Sequence, residues 1–112
     1  MKQKLIDLSH GSGGKQTSDL IGQMFMEAYG NEILGRMEDA AVLDIDGPIA
    51  YTTDSFVVTP MFFPGGDIGK LAICGTVNDL AVMGATPKYL TAGFILEAGA
   101  SMEDLKKITE TM

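Results

Sequence analysis

Hydrophobic side chains recur at helical spacing in the first third of the chain. Between residues 16 and 29 they fall on one face of a helix, at Leu20, Ile21, Met24, Phe25 and Ala28. Thr17 or Ser18 can cap the start of this helix, and Gly30 supplies the stop. The pattern predicts a helix with a structural role.

Short apolar runs bounded by turn residues predict strands elsewhere. Residues 1–8 are expected to form a short strand, and residues 41–53 a hairpin that turns at Asp46-Gly47-Pro48. Further strands are predicted over 55–61 and 88–96, where β-branched and aromatic residues are frequent.

A long apolar helix follows the Pro/Gly turn that Pro60, Pro64, Gly65 and Gly66 form. Asp67 stands at its head, where free backbone N–H groups and the helix dipole favour a carboxylate, so we interpret it as a cap. Lys70, one turn on, is expected to be exposed or paired with Asp67. Asn78 and Asp79 lie near the other end among apolar residues, where a buried carboxylate needs a partner such as a metal ion.

A last helix is predicted over residues 102–112. Ser101 and Asp104 form a start that is similar to a capping box. Leu105, Ile108 and Met112 give the helix an apolar face. Together the elements predict an α+β fold.

Composition limits the classes of function. The 112 residues are 46% hydrophobic with a mean hydropathy of +0.16, which excludes intrinsic disorder. No apolar run reaches the roughly 18 residues that cross a bilayer, and the first 14 residues lack the apolar stretch of a secretory signal, so we expect a cytoplasmic protein. The net charge of −7 argues against nucleic-acid binding. An acidic protein can hold a polyphosphate only through metal ions or backbone N–H groups, and this sequence offers both.

Two groups of residues are candidates for such a site. The glycine-rich segment 9–14 is either a flexible loop or a phosphate lid, whose backbone can approach a ligand closely because glycine has no Cβ. Lys15 follows it as a phosphate contact or a solvated lysine. Asp39 and Asp54 border predicted strands and, with Asp79, form a candidate Mg²⁺ site, although a solvated acidic loop also explains Asp39.

The single histidine and the single cysteine carry weaker signals. His10 either serves the glycine-rich segment or is a solvated loop residue. Cys74 lies among apolar residues without an electropositive setting, so we expect it in the core rather than as a reactive thiol.

Four motifs in order resemble the N-terminal domain of the PurM-like (aminoimidazole-ribonucleotide synthetase) superfamily. They are HGSGG at residues 10–14, EDAAVL at 38–43, TTDSFVVTP with FFPGGDIG, and GTVNDLAVMGATP. Within the superfamily the sequence is most similar to the HypE family of hydrogenase-maturation carbamoyl dehydratases. Selenophosphate synthetase and thiamin-phosphate kinase are the sibling alternatives.

The resemblance implies a fold, a nucleotide and site residues. It implies a mixed or antiparallel sheet with helices on one face, which pairs into a β-barrel at a homodimer interface, and it implies ATP and Mg²⁺ as cofactors. Carried over by position, the metal ligands are Asp39, Asp54 and Asp79, and the ATP or phosphate contacts are Gly11, Gly13, Gly14, Lys15 and Asn78.

The resemblance also implies an activity. In this family ATP activates a carbamoyl group on a cysteine thiol, and loss of the activated oxygen leaves thiocyanate, the precursor of the cyanide ligands of nickel–iron hydrogenase. A HypF-like carbamoyltransferase and a HypC–HypD-like complex are the implied partners.

The chain departs from the family pattern in length. Family members have a second domain and a carrier cysteine near the C-terminus, neither of which is in these 112 residues. We therefore expect a glycine-rich segment at 1–15, an ATP-binding domain at 16–112, and no catalysis by this part alone. A non-catalytic module for dimerisation and partner docking is the alternative.

Overall fold

The computed structural model describes residues 2–112 and divides the chain into two compact units. The first unit comprises the chain up to Asp44 together with Ile95–Glu110, and the second comprises Ile45–Phe94 together with Thr111–Met112. The regular elements are a 3-10 turn (Leu8–Gly11), α1 (Lys15–Leu20), a π-helical turn (Ile21–Phe25), α2 (Met26–Tyr29), a 3-10 turn (Leu34–Arg36), β1 (Phe62–Phe63), β2 (Gly66–Asp67), α3 (Ile68–Val82) and α4 (Met102–Thr111). Within residues 2–112, no helix has the length and apolar character to span a membrane.

The first helix of the first unit is one continuous run over residues 15–29, which confirms the predicted element. It ends at Gly30, whose N–H donates to the Met26 carbonyl oxygen at 2.9 Å. The predicted cap at Thr17 or Ser18 is wrong, because the helix begins earlier, after Gly14, which supplies no side-chain cap. Thr17 Oγ1 instead accepts from the Gly13 N–H at 2.9 Å.

The core of the first unit forms where residues 4–6 meet residues 99–102. Leu5 and Ser101 form an antiparallel bridge, and the Ile6 N–H donates to the Ala100 carbonyl oxygen at 2.7 Å. Of the strand predicted over 1–8, residue 1 lies outside the described residues, and residues 2–8 contribute only this bridge. The buried hydrophobic residues are Ile6, Leu20, Leu105 and Ile108.

Helix α4 confirms the last predicted helix. Its start is capped by Ser101, whose Oγ accepts from the Asp104 N–H at 3.2 Å. The Tyr29 hydroxyl donates to the Thr109 carbonyl oxygen at 3.0 Å, which ties α4 to the first helix within this unit.

The second unit contains a tight hairpin followed by α3. Phe62 pairs with Asp67 and Phe63 with Gly66, in antiparallel register. The turn between them needs glycine at Gly65, where φ is +93° and a side chain would be strained. The Pro/Gly turn predicted here is confirmed, and the sheet of the α+β fold is this small antiparallel pair.

Asp67 caps α3 as the sequence predicts. Its side chain accepts from the Lys70 N–H at 2.9 Å, and the Thr111 hydroxyl oxygen lies 2.7 Å from each of its carboxylate oxygens. Asp67 is 3% exposed, so these bonds satisfy a carboxylate that water barely reaches. Lys70 is exposed, and its Nζ donates to the Gly65 carbonyl oxygen at 3.0 Å.

The other predicted strands are not formed. Within the described residues, segments 40–61 and 85–97 contain no strand, so the hairpin over 41–53 and the strands over 55–61 and 88–96 are wrong. A strand is stabilised only when another strand satisfies its backbone groups, and a lone hairpin is marginal in water. Several large apolar side chains in these segments remain exposed, including Tyr51, Val57 and Ile95.

Candidate functional site

Two of the predicted metal ligands, Asp54 and Asp79, come together in the second unit. Their carboxyl groups lie close enough to interact directly. A hydrogen-bond interaction with Asp79 raises the pKa of Asp54 above its ordinary value, and desolvation and the charge of Asp79 act in the same direction. Both residues are exposed, so a solute can reach the pair.

The end of α3 adds to the negative potential at this point. Asp79 lies in the last turn of α3, where the carbonyl groups give the helix a partial negative charge. A carboxylate is unfavourable there, and the Asp54 carboxylate increases the repulsion. The expectation that Asp79 is buried among apolar side chains is wrong, because α3 leaves this face open to solvent. The charges around Asp79, rather than burial, would favour a cation at this position.

The oxygen atoms at this position fit a hard divalent cation. Mg²⁺ is usually bound through one or two carboxylates together with substrate phosphates, and Asp54 and Asp79 supply two carboxylates side by side. Asn78, the neighbour of Asp79, is also exposed and carries an amide oxygen and an amide N–H₂ group.

The third predicted ligand, Asp39, lies in the first unit on an exposed bend. Residues 2–112 contain no group of three or more His, Cys, Asp or Glu side chains placed to hold a metal ion. The structure therefore brings together Asp54 and Asp79, and the participation of Asp39 stays a prediction.

The glycine-rich segment lies in the first unit and is organised by Asp7. The Asp7 side chain accepts from the Ser9 hydroxyl and, at 2.8 Å, from the Ser9 N–H, and these bonds hold its pKa below the ordinary value. The Asp7 N–H donates to His10 Nδ1 at 3.0 Å. His10 thus braces the turn rather than standing free in solvent, which decides between its two interpretations. The sequence signal for Asp7 was the Asp-x-Ser spacing of a local side-chain turn.

The predicted phosphate contacts in this segment are accessible. Gly11, Gly13 and Gly14 are exposed, and a Cβ on Gly11 or Gly13 would meet nothing within 4 Å. Gly13 has φ +82°, which a side chain would disfavour. Lys15 is exposed but forms an ion pair with Asp19, so it has to leave Asp19 to reach a phosphate.

A cavity of about 920 Å³ lies in the first unit and holds none of the predicted site residues. Its lining mixes acidic, basic and apolar side chains, among them Lys4, Glu27 and Met24. Because none of the residues predicted as metal ligands or phosphate contacts lines this cavity, the carboxylate pair remains the candidate site.

Cys74 is exposed, so its assignment to the core is wrong. It borders a small apolar cavity of about 210 Å³ in the second unit, next to Phe63, Lys70 and Leu71. Apolar neighbours in sequence did not predict burial, since α3 is hydrophobic on several faces and part of that surface stays exposed.

The chain matches one family model and is similar to several known proteins. Residues 37–112 match the AIR synthase related protein, N-terminal domain. Carbamoyl dehydratase HypE of Escherichia coli K12 is 54% identical over 113 residues, covering 96% of this chain and 34% of that protein. Carbamoyl dehydratase HypE of Bradyrhizobium diazoefficiens is 54% identical over 108 residues, covering 96% and 31%.

A solved structure is similar over nearly the same region. The crystal structure of hydrogenase maturation protein HypE in complex with ATP superposes with a TM-score of 0.91 at 51% identity, covering 94% of this chain and 31% of that one. The chain spans about a third of the length of the curated relatives it matches.

Proposed function

The chain belongs to the AIR synthase related family through its N-terminal domain, and from that membership we propose that it is the ATP- and Mg²⁺-handling part of a HypE-type carbamoyl dehydratase. The relatives named carbamoyl dehydratase support this member of the superfamily over selenophosphate synthetase or thiamin-phosphate kinase. The proposal makes the conversion of a cysteine S-carboxamide to thiocyanate the activity of the longer enzyme, with partners in hydrogenase maturation. Residues 16–112 are proposed as the nucleotide-binding domain.

The adjacent carboxylates of Asp54 and Asp79 are the observation that carries the proposal. They would hold Mg²⁺, with Asp39 as a further ligand, and the ion would neutralise charge on the phosphate groups. Asp54 and Asp79 would orient that ion, and the exposed amide of Asn78 would contact a phosphate oxygen. The ATP complex of the structural relative supports nucleotide binding.

The chain's other residues would bind the phosphates directly. Gly11, Gly13 and Gly14 can present backbone N–H groups to phosphate oxygens at close range, since no Cβ intervenes. Lys15 would exchange its ion pair with Asp19 for a phosphate contact. An amide oxygen is a poor leaving group until it is phosphorylated. This domain would therefore assist the dehydration by positioning the terminal phosphate of ATP.

Nucleotide titration with and without Mg²⁺ tests this proposal. We expect calorimetry to show Mg²⁺-dependent ATP binding, and Asp79→Asn to weaken it by at least about tenfold. Asp46→Asn is the matched control, because Asp46 is an exposed carboxylate in the same unit. Absence of binding at millimolar ATP, or equal binding by Asp79→Asn, would contradict the proposal.

Self-association is a second proposed function, and the exposed apolar side chains favour it. Val42, Tyr51 and Val57 are 76%, 81% and 93% exposed, an unusual density for a solvent-facing segment. We propose that such segments pair between copies of the chain, as in the dimeric β-barrel that the family resemblance implies. Sedimentation velocity at several concentrations tests this, with Val57→Ser expected to weaken association. A chain that stays monomeric at every concentration would contradict the proposal of self-association.

A further inference from the structure

Helix α3 has a close neighbour one turn before Asp79. A Cβ added to Gly75 would lie 2.9 Å from both Cε1 and Cζ of the Phe56 ring. Carbon atoms that are not bonded prefer separations of about 3.5 to 4.0 Å, so no side chain fits at position 75 unless the ring moves. The ring of Phe56 therefore packs directly on the backbone of α3.

This contact lies in register with the carboxylate pair. Gly75 and Asp79 are four residues apart on one helix face, about 6 Å along the axis. Phe56 and Asp54 are two residues apart in a segment without helical structure, in which Phe56 and Val58 are half-buried and Val57 between them is exposed. That alternation is typical of an extended backbone, in which two residues span about 6.6 Å. The two spacings match. Phe56 packs on Gly75, and Asp54 therefore meets Asp79 at the next contact between the segment and the helix.

We propose that Gly75 and Phe56 are positioning residues for the site formed by Asp54 and Asp79. The Phe56 ring packs on the helix backbone at Gly75 and thereby sets the distance between α3 and the segment that carries Asp54 and Phe56. That distance determines whether the two carboxylates lie close together. This inference rests on the proposed function only in treating the pair as a cation site. Neither Gly75 nor Phe56 has a side-chain oxygen, nitrogen or sulfur atom that could ligate the metal.

The expected displacement is large enough to matter. Relieving a 2.9 Å contact to an ordinary separation moves the ring or the helix by about 0.6 to 1 Å. The carboxylate pair is the next contact between the segment and α3, so much of this displacement also changes the distance between Asp54 and Asp79. Binding constellations tolerate displacements of only about 0.5 Å, so Gly75→Ala should separate the ligands beyond a working geometry.

A readout that needs neither metal nor nucleotide measures the separation. Asp54→Cys and Asp79→Cys are introduced together in a Cys74→Ser background, and the rate of disulfide formation in a glutathione buffer is followed by mass spectrometry. We expect Gly75→Ala to slow this reaction at least roughly fivefold, because the rate follows the effective concentration of one thiol near the other. In the chain with its native carboxylates, binding of Mn²⁺ alone should weaken by about tenfold.

Two further variants separate positioning from a general loss of structure. Gly22→Ala is the matched control, because Gly22 is also helical and its Cβ would meet nothing within 4 Å. Phe56→Leu removes the ring atoms that clash, so Gly75→Ala combined with Phe56→Leu should recover the disulfide rate and the Mn²⁺ binding. Gly22→Ala should change neither.

The outcomes are distinguishable. A disulfide that forms equally fast with Gly75→Ala, or one that does not form even with Gly75 present, overturns the inference. Unfolding by Gly75→Ala that persists in the Phe56→Leu background also overturns it, since the ring is then not the cause. A slower disulfide in Gly75→Ala, together with no Mn²⁺ or ATP binding by the parent chain, refutes the proposed function and leaves the positioning role standing.

Discussion

Removal of the Asp67 side chain should destabilise the second unit strongly. Asp67 is 3% exposed and satisfies two donors, the Lys70 N–H at 2.9 Å and the Thr111 hydroxyl at 2.7 Å. Asp67→Ala removes both bonds and leaves the first turn of α3 without its cap. Asp67→Asn keeps an acceptor for both donors and loses only the charge.

The magnitude follows from the two bonds. Loss of an N-cap acceptor costs about 0.5 to 2 kcal/mol of the free energy of unfolding. A hydrogen bond to a charged group contributes about 1.5 to 3 kcal/mol, and the lower end applies because Thr111 is exposed. We expect Asp67→Ala to cost about 2 to 3 kcal/mol, a roughly 30- to 150-fold rise in the ratio of unfolded to folded chain. Thr111→Val alone should cost about 1 to 1.5 kcal/mol.

Urea unfolding at pH 7, followed by circular dichroism, measures these values. Asp67→Ala should lower the midpoint by about 1 to 2 M urea, and Asp67→Asn should retain most of the parent stability. Asp46→Ala is the control at an exposed carboxylate. If Asp67→Ala stays within about 0.5 kcal/mol of the parent, the ordinary range for surface substitutions, the burial and bonding described for Asp67 are incorrect.

The remaining predictions concern charge, a single hydrogen bond and the core. Because the folded-state pKa of Asp54 is raised above 3.8, the stability it contributes is present below that value and is lost as pH rises through the raised pKa. Asp79→Asn should therefore raise the melting temperature of the metal-free chain at pH 7 but not at pH 3; a lower melting temperature at pH 7 would contradict this. Tyr29→Phe removes the bond to the Thr109 carbonyl oxygen and should cost about 1 kcal/mol in urea unfolding. Leu105→Ala, at a residue 5% exposed, should cost about 2 to 5 kcal/mol by the same assay, and a cost below 1 kcal/mol would refute its place in the core.

Local signals in the sequence predicted the helices well. Periodic apolar residues, the cap at Asp67 and the Pro/Gly turn before it each depend on neighbours within a few positions. The structure has helices at 15–29 and 102–111, close to the predicted ranges, and a helix at 68–82, where a long helix was predicted after the Pro/Gly turn. Such elements form from contacts that lie close together in sequence, so their prediction needs no knowledge of tertiary structure.

Strands and burial could not be predicted in the same way. The alternation near Phe56 indicates an extended backbone, but it does not say which backbone satisfies the hydrogen bonds of that segment. Cys74 and Asp79 were both expected among apolar side chains, because their sequence neighbours are apolar. Burial depends on what covers each face of α3, and that information is not local.

In the candidate site, too, some features were predictable from the sequence and others depend on tertiary contacts. The family resemblance predicted one site for Asp39, Asp54 and Asp79, and of these the structure shows Asp54 and Asp79 close together. The contact of Phe56 with Gly75 was not expected, since a missing side chain gives no signal until its neighbour is known. The close approach of two segments is a tertiary property, and glycine only permits it.

The solvent-facing position of Cys74 affects every measurement in which copies of the chain meet. As the chain's one thiol, it can oxidise with the thiol of a second molecule, and the resulting covalent pair would sediment as a dimer. A reducing buffer, or Cys74→Ser, removes this artefact. The same thiol also offers one defined attachment point for a fluorescent dye on α3, one turn ahead of Asn78, so a change of emission on adding ATP would test the proposed nucleotide site.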